Sequence, residues 1–168
     1  MDTLLEDNIL ELTGFEIVRT EGEKFVTFFL DNETFAVPSK FVAEVDRLLS
    51  ITPLPNIADW FSGLANLRGE IVSVIDLRLF WNRRTSPPAK AKTIILRSHK
   101  DSIRLAFTVD RIGEISILEE SEREIFTDSE IHSPFPHTYG KGNFKNQTLY
   151  LLDVEKLLAS PKLQKIYS

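Results

Sequence analysis

The 168-residue chain contains no cysteine. It can therefore form no disulfide, use no thiolate nucleophile and build no zinc site with cysteine ligands. A chain without disulfides fits the reducing environment of the cytoplasm. We therefore expect a cytoplasmic protein.

Long apolar runs and clusters of positive charge are also missing. No run approaches the roughly 18 apolar residues that a membrane-spanning helix needs. Residues 1–12 carry acids where a secretory signal would carry positive charge. The formal net charge is −5, from 25 acidic and 20 basic residues. This balance gives no basic surface for nucleic acid or for an anionic membrane.

Apolar residues make up 42% of the chain and include twelve phenylalanines, which is enough to build a core. Short apolar segments separated by turn residues at regular spacing predict an all-β fold with few helices. The segments that matter most are a hairpin over 24–37, a strand buried on both faces over 71–75, a turn of helix over 59–64, and a polar irregular stretch over 119–148.

The order of these elements occurs twice. In each half an apolar strand ends at an aspartate, Asp76 or Asp153, and a short helix follows. An aspartate at that place can accept hydrogen bonds from the first free N–H groups of the helix. The repeat predicts two small β-barrel lobes that share a buried interface, because each lobe alone would have a marginal core.

These features divide the chain into five parts. We expect an N-terminal extension with a short amphipathic helix in its first 14 residues, and a C-terminal tail after a closing helix. The predicted ranges are 1–22 for the extension, 23–84 for lobe one, 91–152 for lobe two, 153–160 for the closing helix and 161–168 for the tail.

Catalytic patterns are weak in this sequence. The three histidines, His99, His132 and His137, lack the spacing typical of metal ligands. No G-x-S-x-G elbow and no phosphate-binding glycine loop is present. We therefore expect no enzyme, no cofactor and no metal, and favour a binding module with a groove between its lobes. A small hydrolase that uses His132 or His137 with an acid remains the alternative from another class.

One segment carries a family resemblance. Residues 63–78 read GLANLRGEIVSVIDLR, which closely resembles the G-x-x-N-L-R-G…D-L-R segment of CheW-like proteins. The similarity extends from about residue 24 to residue 160, through the first hairpin, the segment Val42–Val45, the Val109-Asp110 step and the closing strand and helix. The chain is thus identified as resembling the CheW-like chemotaxis adaptor family.

The resemblance implies two pseudo-symmetric SH3-like lobes, each a five-stranded β-barrel, with short helices. It implies an adaptor that couples a CheA-type histidine kinase to methyl-accepting chemoreceptors in two-component control of flagellar, twitching or phototactic motility. Such an adaptor would bind the kinase regulatory domain and the receptor's cytoplasmic tip. It would be recruited to membrane-associated arrays, where self-association would also be expected. The alternative within the family is a structural array component that binds its neighbours without kinase coupling.

The resemblance also assigns residues. Val42, Ile94 and Ile115 match apolar positions of the receptor groove, and Glu44, Gly63 and Arg68 match positions linked to receptor or kinase coupling. Ser73 stands where proline is usual, and Arg111 stands where glycine is common.

Each assignment has a structural alternative. The three apolar residues could pack in the core. Glu44 could lie on a solvated strand face, and Arg68 could pair with a nearby carboxylate instead of facing a partner. Among the other aromatic residues, we expect Phe135 to tuck under a barrel, and Trp60 and Trp81 to pack where the lobes meet.

Overall fold

The computed structural model describes residues 9–13, 16–19, 22–46, 49–83, 90–97, 104–127 and 135–167. Strands dominate these ranges. They are β1 Ile9–Thr13, β2 Glu16–Arg19, β3 Glu23–Leu30, β4 Glu33–Pro38, β5 Val42–Asp46, β6 Ile51–Thr52, β7 Phe61–Leu67, β8 Glu70–Asp76, β9 Lys92–Leu96, β10 Leu105–Val109, β11 Arg111–Leu118, β12 Arg123–Ile125, β13 Thr138–Phe144 and β14 Gln147–Leu152.

The helices are short. In the described ranges, three α-helices span Leu77–Phe80, Val154–Leu158 and Pro161–Gln164, and two 3-10 turns span Ser39–Phe41 and Glu120–Glu122. None of the helices found in the described ranges combines the length and apolar character needed to cross a membrane. The all-β prediction is confirmed.

In the part of the chain that the structure describes, two six-stranded sheets form the body of the protein. The sequence of sheet one is inserted between the first two strands of sheet two and its remaining strands. Sheet one has the order β5-β9-β10-β8-β7-β6, and sheet two has the order β11-β3-β4-β14-β13-β12. Sheet one therefore uses the continuous segment 42–109, whereas sheet two uses segments from either side of it. This differs from the expected lobes at 23–84 and 91–152. The hairpin β3–β4 belongs with the later strands, because β4 pairs in parallel with β14.

The core between the two sheets is aromatic. The largest buried cluster takes Phe28 and Phe35 from sheet two and Ile75 and Phe107 from sheet one. The rings of Phe28 and Phe107 lie 5.4 Å apart, centroid to centroid, and so join the sheets directly. The expected shared interface is present, and Trp60, Trp81 and Phe135 are buried in it as expected.

Each sheet also has a second buried face. Val72, Val74 and Ile95 form a cluster on sheet one, and Phe25 and Leu151 belong to a cluster on sheet two. Strands buried on both faces are expected to read as continuous apolar runs rather than alternating ones. This explains the run that predicted a doubly buried strand at 71–75, of which residues 72–75 are buried.

The aspartate caps are confirmed. The Asp76 carboxylate accepts hydrogen bonds from the backbone N–H groups of Arg78 and Leu79, and that of Asp153 accepts one from Lys156 N–H. The segment after Pro161, expected as a tail, instead begins with a short helix whose Leu163 is buried in the core. Proline suits the first position of a helix, so Pro161 begins this helix shortly after the helix Val154–Leu158 has ended.

Three local predictions are wrong. Residues Ile9–Thr13, expected within a helix, form β1 and pair with β2, and residues 1–8 lie outside the described residues. The segment 59–64, expected as a turn of helix, enters strand β7 at Phe61. The stretch 119–148, expected to be irregular, contains β12 and β13.

Candidate functional site

The turn between β7 and β8 holds Arg68 at the end of a hairpin. Arg68 and Gly69 have φ angles of 52° and 84°, both in the left-handed region. Two such residues in a two-residue hairpin loop match the twist of the flanking strands. The Asn66 side-chain oxygen accepts a hydrogen bond of 2.9 Å from the Gly69 N–H. The sequence Asn-Leu-Arg-Gly therefore fixes the direction in which Arg68 leaves the sheet.

Arg68 pairs with Glu44. Its Nη1 atom donates to Glu44 Oε2 at 2.8 Å, although Glu44 lies on β5 at the far edge of sheet one. Sheet one must therefore curl for the two residues to meet. The Arg68 side chain is 80% exposed, and that of Glu44 is 24% exposed. Arg68 can therefore pair with Glu44 and still face a partner, because a guanidinium has five N–H donors and can bind both together.

Two apolar residues close in sequence to this ion pair are also exposed. Val45 follows Glu44 on β5, and Ile71 lies one residue past the start of β8; both are exposed. Ile71 was predicted to be buried, but it is 61% exposed. Among the described residues, the pairing of β10 with β8 begins at Ser73, so none of them pairs with Ile71 on that side.

The backbone conformation at position 63 requires glycine. Gly63 lies on β7 with a φ of 142°, and a Cβ atom there would overlap the carbonyl oxygen of Thr52 on β6. Only glycine allows these two strands to approach so closely. Its assignment to coupling stays a prediction, and the geometry gives it a structural task as well.

The three residues assigned to the receptor groove lie in different places. Val42 and Ile94 are buried in the cluster between the sheets, whereas Ile115 is 61% exposed on β11 beside the exposed Ile117. Only Ile115 of the three can contact a partner directly in this conformation. The assignment of the set to receptor binding stays a prediction.

A second arginine, Arg78, lies at the centre of a buried network that sequence reasoning missed. Its side chain is 1% exposed. Its Nη1 atom donates to Asp110 Oδ1 at 2.6 Å, and its Nε atom lies 3.4 Å from Asp76 Oδ1. Asp110 Oδ2 in turn accepts from the Asp31 N–H at 2.7 Å.

This network ties sheet one to sheet two. Asp76 ends strand β8 and Arg78 lies in the helix that follows it, whereas Asp110 and Asp31 belong to the loops that bound β11 and β3. The second Arg78 nitrogen, Nη2, is buried and has no hydrogen-bond partner among the described residues. The signal in the sequence was the pair of segments Asp-Leu-Arg and Val-Asp, each of which carries part of the network.

His137 is the histidine that the structure describes; His99 and His132 lie outside the described residues. Its Nδ1 atom accepts a hydrogen bond of 3.1 Å from the indole N–H of Trp81. Burial lowers the pKa of His137 from its usual 6.5, and the positive charge of Lys156 lowers it further. Among the residues that the structure describes, no three His, Asp or Glu side chains are grouped to hold a metal ion.

Comparisons with known proteins agree with this architecture. The family model for the CheW-like domain matches residues 24–162. The chemotaxis protein CheW of Klebsiella aerogenes is 28% identical over 145 residues, covering 86% of each chain, and that of Treponema pallidum is 26% identical over 155 residues, covering 89% of each.

A solved structure gives the same result for the fold. The scaffolding protein TtCheW of Thermoanaerobacter tengcongensis superposes with a TM-score of 0.73 at 22% identity, over 84% of this chain and 95% of that one. The architecture of the chain is thus that of a compact β protein with two packed sheets. The chain belongs to the CheW-like family.

Proposed function

We propose that this protein is a non-catalytic adaptor that couples a CheA-type histidine kinase to methyl-accepting chemoreceptors. The observation that carries the proposal is the match to the CheW-like family over 139 residues, from 24 to 162. The names of the relatives support it, since several are chemotaxis proteins. On this proposal the protein acts in the cytoplasm and is recruited to receptor arrays at the membrane.

The coupling follows from holding two partners at once. An adaptor that binds kinase and receptor through separate surfaces makes their encounter intramolecular, which raises the effective concentration of each for the other. A receptor movement can then bias the kinase only if the adaptor transmits it, which favours a stiff body. The aromatic core and the Arg78 network between the sheets supply that stiffness.

We assign roles to the six predicted site residues accordingly. Arg68 and Glu44 form the coupling surface, with Gly63 holding the strand that leads to it. Ile115 contributes an apolar contact for the receptor. Val42 and Ile94 act from beneath, because their buried side chains support the strands that face the partner.

A charge swap separates an interfacial role of Arg68 from a structural one. Arg68→Glu should weaken partner binding about tenfold or more, since arginine is enriched among interface hot spots. The double variant Arg68→Glu with Glu44→Arg restores an ion pair inside the protein but reverses the charges that the partner meets. If the pair matters only inside the protein, the double variant will regain binding. If Arg68 meets the partner, it will not.

The assay is reconstitution with the purified kinase and receptor from the same organism, measuring binding and receptor-stimulated kinase autophosphorylation. Arg97→Glu serves as the matched control, because Arg97 is exposed at the end of β9. Binding of both partners without stimulation would favour a structural array component. Binding of neither would refute the adaptor function.

A further inference from the structure

A small cavity is lined by residues of sheet two, whereas Arg68 and Glu44 belong to sheet one. Its volume is about 170 Å³. An engineered apolar cavity of about 150 Å³ holds one benzene molecule, so this volume suits a single side chain rather than a large cofactor. The lining combines apolar and polar groups with two cations and one acid, among them Phe29, Thr34, Arg111, Glu114, Phe144 and Lys145.

Arg111 is held in place at the edge of this cavity. Its guanidinium carbon lies 3.9 Å from the centre of the Phe29 ring, so the planar group stacks on the aromatic face. Arg111 and Phe29 are also cross-strand partners between β11 and β3. Stacking restricts the side chain before any partner arrives, which reduces the entropy lost on binding.

The charge of Arg111 is left uncompensated. Lys145 on the same rim is paired with Glu114 at 2.7 Å. Asp110, the acid next to Arg111 in sequence, is occupied by Arg78 and by the Asp31 N–H. Within the described part of the chain, no carboxylate forms an ion pair with Arg111. The Glu114 carboxylate on the same rim is taken by Lys145, so the Arg111 guanidinium keeps its donors for a further carboxylate.

We propose that this cavity receives an acidic side chain of a partner protein, with Arg111 binding its carboxylate. A guanidinium presents its donors in a planar fork that matches a carboxylate, and the nearby Phe29 and Phe144 rings can cover the aliphatic stem. The proposal rests on the proposed adaptor function, because it names the chemistry by which one of the partners is recognised.

The test compares variants of Arg111 in binding to two purified probes, the kinase regulatory domain and the receptor cytoplasmic tip from the same organism. Arg111→Gln should weaken binding of one of them about tenfold, as expected when a hot-spot arginine is truncated. Arg111→Lys should lose less, since it keeps the charge but not the fork. Arg97→Gln, which removes the same charge from the end of β9, should change nothing.

A double-mutant cycle identifies the carboxylate. Each surface Asp or Glu of the affected partner is changed to Asn or Gln, and binding is measured to the wild type and to Arg111→Gln. One acid should weaken binding to the wild type but not to the variant, because its contact is already lost. Unchanged binding of Arg111→Gln to both probes would overturn this proposal alone. Failure of the wild type to bind either probe would overturn the adaptor function and this proposal with it.

Discussion

Replacing Arg78 by methionine should strongly destabilise the protein. Arg78 is 1% exposed and faces Asp110 and Asp76, whose side chains are 20% and 11% exposed. Methionine fills a similar volume but leaves both carboxylates without their partner. Removing one member of a buried ion pair typically costs about 3–5 kcal/mol, because the remaining charge is buried and unpaired.

The structure places the expected loss at the low end of that range, at about 3 kcal/mol. The two acids keep some solvent contact, and one Arg78 nitrogen has no partner to lose among the described residues. For a chain of this length, about 3 kcal/mol lowers the melting temperature by roughly 6–12 °C. Urea unfolding followed by circular dichroism measures the free energy directly.

Two further variants test the reasoning. Adding Asp110→Asn to Arg78→Met should recover about 1 kcal/mol or more, since it removes the stranded charge. Arg68→Met should cost no more than about 1 kcal/mol, because its ion pair is largely exposed. Equal effects of Arg78→Met and Arg68→Met, or a double variant that is the least stable of the three, would contradict a stabilising buried ion pair at Arg78.

Three other changes have defined outcomes. Gly63→Ala should cost about 2–3 kcal/mol in urea unfolding, through strain and the clash with the Thr52 carbonyl; an unchanged midpoint would contradict the close approach. Asp153→Ala should cost about 1 kcal/mol through loss of the helix cap, and Asp153→Ser should restore most of it. Burial lowers the pKa of His137, so the unfolded chain takes up the proton first and stability should fall as pH drops below 6.5. In His137→Asn, whose side chain can still accept from Trp81, the melting temperature should fall less over the same drop in pH. An identical fall in the variant and the wild type would exclude His137 as the source.

Local signals in the sequence located the elements that depend on neighbouring residues. The hairpin turn at Asp31 and the caps at Asp76 and Asp153 were predicted because each is decided within a few residues. Arg68 was located by the motif around it.

Glycines misled the prediction where the backbone is crowded. The stretch 119–148, expected to be irregular, contains Gly140 and Gly142, yet both lie within β13. A Cβ atom on Gly140 would lie 2.6 Å from the Glu124 carbonyl oxygen, and one on Gly142 would lie 2.8 Å from the Leu118 side chain. Gly140 lets the neighbouring strand β12 approach closely, and Gly142 leaves room for a side chain from β11 at the other edge of the sheet. Both are tertiary requirements that composition cannot reveal.

Contacts between distant segments could not be predicted from residue patterns. Arg78 meets Asp110 across 32 positions, and Tyr150 pairs with Phe35 across 115 positions (150 minus 35). The burial of Arg78 and the insertion of sheet one within sheet two both depend on such contacts. The rim of the Arg111 cavity likewise combines β11 with the distant β13–β14 hairpin.

The insertion of sheet one within sheet two fixes an order of events during synthesis. Every strand of sheet one has been made once residue 109 leaves the ribosome, so that sheet can assemble while the chain is still growing. The hairpin β3–β4 is made earlier but must wait for β11 and β14, the last of which ends at residue 152. The β3 edge stays unpaired until β11 has been made, and the β4 edge until β14 has been made, so the first strands of the body to be translated complete their pairing only with the last.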